Sequence, residues 1–101
     1  MTITDKNYKN IIENNDAVIK FGAPWCGPCR QIDPIIKKME AEDTPYVIGS
    51  VDVDDNSEIS TEFGIRSIPA ILIFKEGKVV DKIVGFVPEN QIREKIAAAL
   101  N

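Results

Sequence analysis

The stretch Trp25-Cys26-Gly27-Pro28-Cys29 constrains this chain more than any other. It holds the only two cysteines and lies between a short apolar run, Ala17 to Ala23, and an amphipathic pattern. In that pattern Ile32, Ile35, Ile36 and Met39 recur at i, i+3, i+4 and i+7, one face of a helix reaching to about residue 42. The order is therefore strand, cysteine-bearing turn, helix. Two thiols three positions apart can close on one another. The resulting ring encloses only two residues, so it removes little entropy from the unfolded chain and is a poor structural staple. Reversible redox chemistry is the better reading.

At 101 residues and 44% hydrophobic content, the chain supports one compact domain spanning 1–101 and is too short for two. Twelve Lys and Arg against sixteen Asp and Glu leave a net charge of −4 and no basic run, so no direct nucleic-acid ligand is expected. Met1 to Lys6 lacks a cationic segment followed by an apolar one, and the longest apolar run, Ile68 to Phe74, is far too short to span a membrane. The expectation is a soluble, cytoplasmic protein acting as a monomer, with no membrane partner. In a reducing compartment a lone C-x-x-C is catalytic or metal-binding more often than structural. Structural zinc usually takes four Cys or His ligands, and this chain has two Cys and no His, so no metal is expected.

Tyr8, Ile11 and Ile12 mark a first helix over about 5–15, with Thr4 as its cap. Pro34 falls inside the second helix and removes the hydrogen bond to the Arg30 carbonyl, which predicts a kink. Tyr46 to Val53 alternates as a strand, and Ser57 to Phe63 reads as a short helix stopped by Gly64. Ala70 to Phe74 and Val79 to Val84 form an antiparallel pair across a turn at Lys75-Glu76-Gly77-Lys78. Pro88 opens a last helix in which Ile92, Ile96 and Leu100 recur every four residues. With Met1 to Ile3 as an edge strand, the order is β, α, β, α, β, α, β, β, α: a mixed sheet with helices on both faces.

A cysteine at the mouth of the second helix faces unpaired N–H groups and the positive end of the helix dipole, which favour thiolate. The thiolate is the attacking species in disulfide exchange. Cys26 is thus the exposed nucleophile, and Cys29, one turn deeper, the resolving thiol. Gly27 and Pro28 constrain the turn and leave room for a partner backbone. Trp25 reads equally as a core or rim aromatic and as a platform for substrate.

Several separated features resemble the thioredoxin family across nearly the whole chain: Trp25-Cys26-Gly27-Pro28-Cys29, then Pro34, Gly64-Ile65-Arg66-Ser67-Ile68-Pro69, Lys75-Glu76-Gly77 and Gly85. The resemblance implies a thioredoxin-like α/β fold, a central mixed sheet flanked by four helices on both faces. It also implies reduction of disulfides in target proteins through a Cys26–Cys29 redox disulfide. Electrons would come from a separate NADPH-dependent thioredoxin reductase, with no cofactor bound. By resemblance Pro69 is cis and faces the dithiol, whereas residue preferences alone favour an ordinary trans proline opening a strand. Ile68 would offer its backbone to an extended substrate. Trp25, Gly27, Pro28, Val84, Gly85 and Phe86 would complete the docking surface, with Asp54 accepting the Trp25 indole N–H.

The chain departs from that pattern beneath the cysteines. Six positions before the nucleophile the family normally carries a buried aspartate; here stands Lys20. Gly22 replaces a frequent aromatic, and Ser50 a frequent lysine. A neutral buried Lys20 could act as base for Cys29, a protonated one could stabilise a thiolate, and a snorkelling one would reach water and do neither. Two other functions compete with disulfide reduction. One is a glutathione-coupled or thiol-oxidising relative, which usually has other residues between the cysteines. The other is a binding subunit that uses the same fold without redox chemistry.

Overall fold

The computed structural model describes residues 1–100. Among these, four strands form one sheet: β1 (Ala17–Gly22), β2 (Val47–Asp52), β3 (Ala70–Lys75) and β4 (Lys78–Val84), in the order β2-β1-β3-β4. β1 runs parallel to β2 and antiparallel to β3, which is antiparallel to β4, so the sheet is mixed. The helices are α1 (Tyr8–Asn14), α2 (Gly27–Glu40), α3 (Ser57–Glu62) and α4 (Glu89–Leu100).

Period-two geometry divides β1 between two cores. Ala17, Ile19 and Phe21 pack with Tyr8, Ile11 and Ile12 of α1 and Ile59 of α3. Val18, on the other face, packs with Ile32, Ile36 and Met39 of α2 and with Ile92 and Ile96 of α4. Both faces are covered, which is why β1, apart from Lys20, and β3 read as apolar runs without alternation. Each fully buried Ile contributes about 1.5–3 kcal/mol. Tyr8, Phe63 and Phe74 stack edge to face, centroids 6.2 and 5.1 Å apart, joining α1, α3 and β3. On the opposite face Arg93 of α4 donates bidentately to Glu42, at 2.9 and 2.6 Å, and to Glu89 at 2.9 Å. Lys38 of α2 also reaches Glu89. The guanidinium holds both carboxyls below the usual carboxylate range, chiefly by hydrogen bonding.

Two expectations are corrected at the start of the chain. Met1 to Ile3 makes a single parallel bridge, Thr2 to Ser50, in place of a strand. Ile3 N–H donates to the Ser50 carbonyl and Ser50 N–H to that of Met1, both at 2.9 Å, before the chain turns away at Thr4. The first helix begins at Tyr8 rather than near residue 5 because Asp5 is engaged elsewhere. Its carboxylate accepts the N–H groups of Glu58 and Ile59 at 3.2 and 2.9 Å, capping α3 from a distance. Thr4 Oγ1 accepts Lys6 N–H within the intervening turn.

The remaining boundaries follow local chemistry. α3 ends in a Schellman arrangement, Ile65 N–H to the Ser60 carbonyl and Gly64 N–H to that of Thr61. The β3–β4 turn puts both central residues at positive φ, Glu76 at 54° and Gly77 at 81°, the twist that suits a tight hairpin. No helix among the described residues is long and apolar enough to cross a membrane.

Candidate active site

β1 ends at Gly22, and the chain needs only Ala23, Pro24, Trp25 and Cys26 to enter α2. Cys26 is the N-cap residue, with extended backbone (φ −83°, ψ 112°), and Pro28 sits in the first turn, where a missing N–H costs nothing. The two cysteines form a disulfide with Cα atoms 5.3 Å apart. Cys29 N–H points at Cys26 Sγ, 3.2 Å away, so an orphan donor of the helix start is directed at that sulfur.

The expectation of an exposed Cys26 is corrected: the residue is 5% exposed and Cys29 1%. Val53, beyond β2, and Ile68, before β3, pack on the cluster of Ala23, Cys26 and Cys29 and cover the sulfurs from the side. Those covering residues lie 27 and 42 positions from Cys26 along the chain, beyond the reach of a local pattern. Cys26 is still the more accessible of the pair.

The surroundings of the disulfide are tied together by a few bonds. Trp25 is 67% exposed, and its indole N–H donates to Asp54 Oδ2 at 2.7 Å. Asp54 N–H in turn donates to Asp52 Oδ1. The Ile68–Pro69 bond is cis, and the Pro69 carbonyl accepts Gly85 N–H at 2.8 Å, bringing the segment after β4 against the segment that packs on the cysteines. Gly85 has φ +84°, a conformation costly for any residue with a Cβ. Val84 and Phe86 flank it, both about half exposed, and the outer side of Gly27 has no heavy atom within 4 Å of where a Cβ would stand. Trp25, Val84 and Phe86 are thus exposed apolar side chains on the segment before the cysteines and on the segment bonded to Pro69. Pro34 sits within α2, which continues through it to Glu40.

Beneath the disulfide, Lys20 is 7% exposed, and its Nζ lies 2.5 Å from Oδ1 of Asp33, whose side chain is 42% exposed. A Cβ at Gly22 would be 3.0 Å from Lys20 Nζ and 3.1 Å from Cys29 Sγ. Ammonium and sulfur face each other across the space a side chain would fill. Lys20, Gly22, Asp33, Ser50 and Asp52 line a cleft of about 400 Å³ there. Sequence reasoning missed Asp33, although it stands four positions after Cys29 on the same helix face. It also missed Arg30, whose guanidinium fastens the Pro24 carbonyl at 2.9 and 3.2 Å and steadies the loop before the cysteines. Among the described residues no group of His, Cys, Asp and Glu side chains converges to hold a metal.

Comparison with known proteins gives a consistent result. The family model described as Thioredoxin matches residues 1–98. A thioredoxin of Chlorobaculum thiosulfatiphilum is 43% identical over 96 residues, covering 92% of this chain and 89% of the relative. One from Alicyclobacillus acidocaldarius is 36% identical, covering 99% and 97%. Among solved structures, a mutant thioredoxin from Halobacterium salinarum NRC-1 superposes with a TM-score of 0.90 at 25% identity, covering the whole of this chain and 90% of that one.

Proposed function

Because this chain belongs to the thioredoxin family, we propose that Cys26 is its attacking sulfur and Cys29 its resolving sulfur. The chain is a thiol–disulfide oxidoreductase that reduces disulfides by exchange at its cysteine pair. The assignment of roles is carried by one observation: the Cys29 N–H directed at Cys26 Sγ from the start of α2. Negative charge on Cys26 is stabilised there by the hydrogen bond and the helix dipole, whereas Cys29 lies deeper, with less of its surface exposed.

In the reduced protein the Cys26 thiolate attacks one sulfur of a target disulfide, and the other leaves as a thiolate that takes up a proton. Cys29 then gives up its proton and attacks Cys26. The Cys26–Cys29 bond forms, the bond to the target breaks, and the target departs with both electrons. Trp25, Val84 and Phe86 supply apolar contact for the target; Ile68, Pro69 and Gly85 offer backbone. Gly27 and Pro28 leave space for the approach. Asp54 orients Trp25, and Pro34 has a supporting role in α2.

The family needs no bound cofactor and works between disulfide-bearing targets and a reductase. The finer reading is an NADPH-dependent thioredoxin reductase as electron source, a monomer folded as one domain over 1–101, and a cytoplasmic setting. Insulin reduction tests the electron source and the roles of the two cysteines. Turnover is expected with thioredoxin reductase and NADPH, and Cys29→Ser should accumulate a covalent adduct with the target. Turnover with glutathione and its reductase only, or an adduct formed by Cys26→Ser in its place, would overturn it.

A further inference from the structure

We propose that the Lys20–Asp33 ion pair governs the inner thiol: Lys20 stabilises the Cys29 thiolate that closes the disulfide, and Asp33 sets how much of that charge the sulfur feels. This deepens the exchange reaction proposed above and rests on it.

The α2-facing side of the sheet is otherwise apolar, with Val18, Ile48, Ile71 and Ile73 around it. An ion pair whose lysine is buried and whose carboxylate is partly exposed is weak support for the fold, since desolvating the ammonium offsets much of the attraction. Its position gives it another use. Lys20 Nζ and Cys29 Sγ each lie about 3 Å from one point, the vacant Cβ position of Gly22, so they cannot be further apart than those two distances laid end to end. An opposite charge at 4–6 Å lowers a thiol pKa by about 1–3 units. Cys29 and Asp33 are at i and i+4 on α2, so the carboxylate that binds the ammonium sits one turn from the sulfur the ammonium faces.

The other groups around Lys20 are few. Along α2 lie Lys37 and Glu40, the latter paired with the Met1 amino group. From the end of β2 comes Asp52, while Ser50 and Ile71, the β2 and β3 neighbours of Lys20 in register, are uncharged. Asp33 is the carboxylate bonded to the ammonium.

The step balances. Cys29 gives up its proton to solvent. The sulfur electron pair attacks Cys26 of the mixed disulfide, the Cys26–Cys29 bond forms, and the target sulfur leaves with the electrons of the broken bond and is protonated. Lys20 and Asp33 are positioning residues that act through Cys29.

The test is the Cys29 titration, followed by the NMR signal of its labelled β-carbon in the full chain carrying Cys26→Ser, which leaves one thiol. Lys20→Met should raise the Cys29 pKa by about one unit, and Lys20→Arg should restore it. Asp33→Asn keeps an acceptor for the ammonium but removes the opposing charge, and should lower the pKa by a fraction of a unit. Opposite signs are the signature, because mere loosening of the site would move both variants the same way.

With Cys26 restored, Lys20→Met should slow release of target from the mixed disulfide about three- to fourfold at pH 7. A tenfold loss of thiolate is there partly offset by greater nucleophilicity. Should Lys20→Met fail to fold, Asp33→Asn decides alone, and an unchanged or raised Cys29 pKa overturns the proposal. Shifts of one sign, or none, in folded variants do the same. A wild-type chain that reduces insulin while failing these tests refutes only the ion-pair proposal; one that cannot reduce insulin refutes the exchange reaction itself.

Discussion

Replacing Gly49 by alanine should unseat Ile3, and the structure gives the size of the effect. A Cβ at Gly49 would stand 2.5 Å from Ile3 Cγ1 and 2.8 Å from its Cδ1, against about 3.5–4.0 Å for comfortable carbon–carbon contact. Ile3 has little freedom to yield. It is fully buried against the α1 and α3 core, and the bonds joining Ile3 and Met1 to Ser50 hold its backbone. Either the side chain stays and the site is overpacked, at about 1–3 kcal/mol, or it is expelled and loses about 1.5–3 kcal/mol of burial. Both routes give roughly 2 kcal/mol, equivalent to a fall of about 8–16 °C in Tm for a domain this size.

Urea unfolding of Gly49→Ala, Ile3→Ala and the double variant separates this from a general effect. Ile3→Ala alone should cost about 2–5 kcal/mol. In the double variant the new methyl enters the vacated space, so its cost should fall short of the summed single costs by about 1 kcal/mol or more. Additive costs, or a Gly49→Ala midpoint within about 0.5 kcal/mol of wild type, would refute the reasoning. Met1 and Thr2 also wall the clefts beside Lys20, so loosening Ile3 should expose the lysine to more water.

Two further outcomes are expected. Trp25→Phe keeps an aromatic platform but loses the bond to Asp54, and with the indole largely exposed KM for insulin should rise about two- to fivefold with little change in kcat; Asp54→Asn, which keeps an acceptor, should change KM less, and equal effects would contradict an orienting role. Tyr8 is buried and donates to Glu62, and that bond, then burial, pushes its pKa above the ordinary tyrosine range. Its folded pKa lies above the unfolded value near 10, so its contribution is complete below pH 10 and fades as pH rises beyond that. Urea midpoints between pH 8 and 11 should fall more steeply for wild type than for Tyr8→Phe, and parallel slopes would exclude the tyrosine.

Local pattern carried most of the architecture. The apolar runs of β1, interrupted at Lys20, and of β3, the 3.6-residue stripe of α2 and the tight turn at Glu76-Gly77 each express a short-range rule, and each element appears within a residue or two of where that rule puts it. What escaped depends on partners distant in sequence. Asp5 leaves α1 because α3, more than fifty positions on, uses its carboxylate. The cysteine pair and Ala23 pack with Val53 and Ile68, which no reading of the neighbouring residues reveals. Lys20 was conspicuous by its place in an apolar strand, but its choice between water and a partner turned on Asp33, and an i, i+4 relation to Cys29 was the one clue available.

The Arg93, Glu89, Lys38 and Glu42 bonds anchor the last turn of α2 and the residues just after it to α4. Cys26 and Cys29 occupy the opposite tip, so the helix is a beam gripped at its tail with the chemistry at its other end. Between tail and tip, Ile32, Ile36 and Met39 seat the same helix on the sheet, which gives the sulfur pair a fixed base.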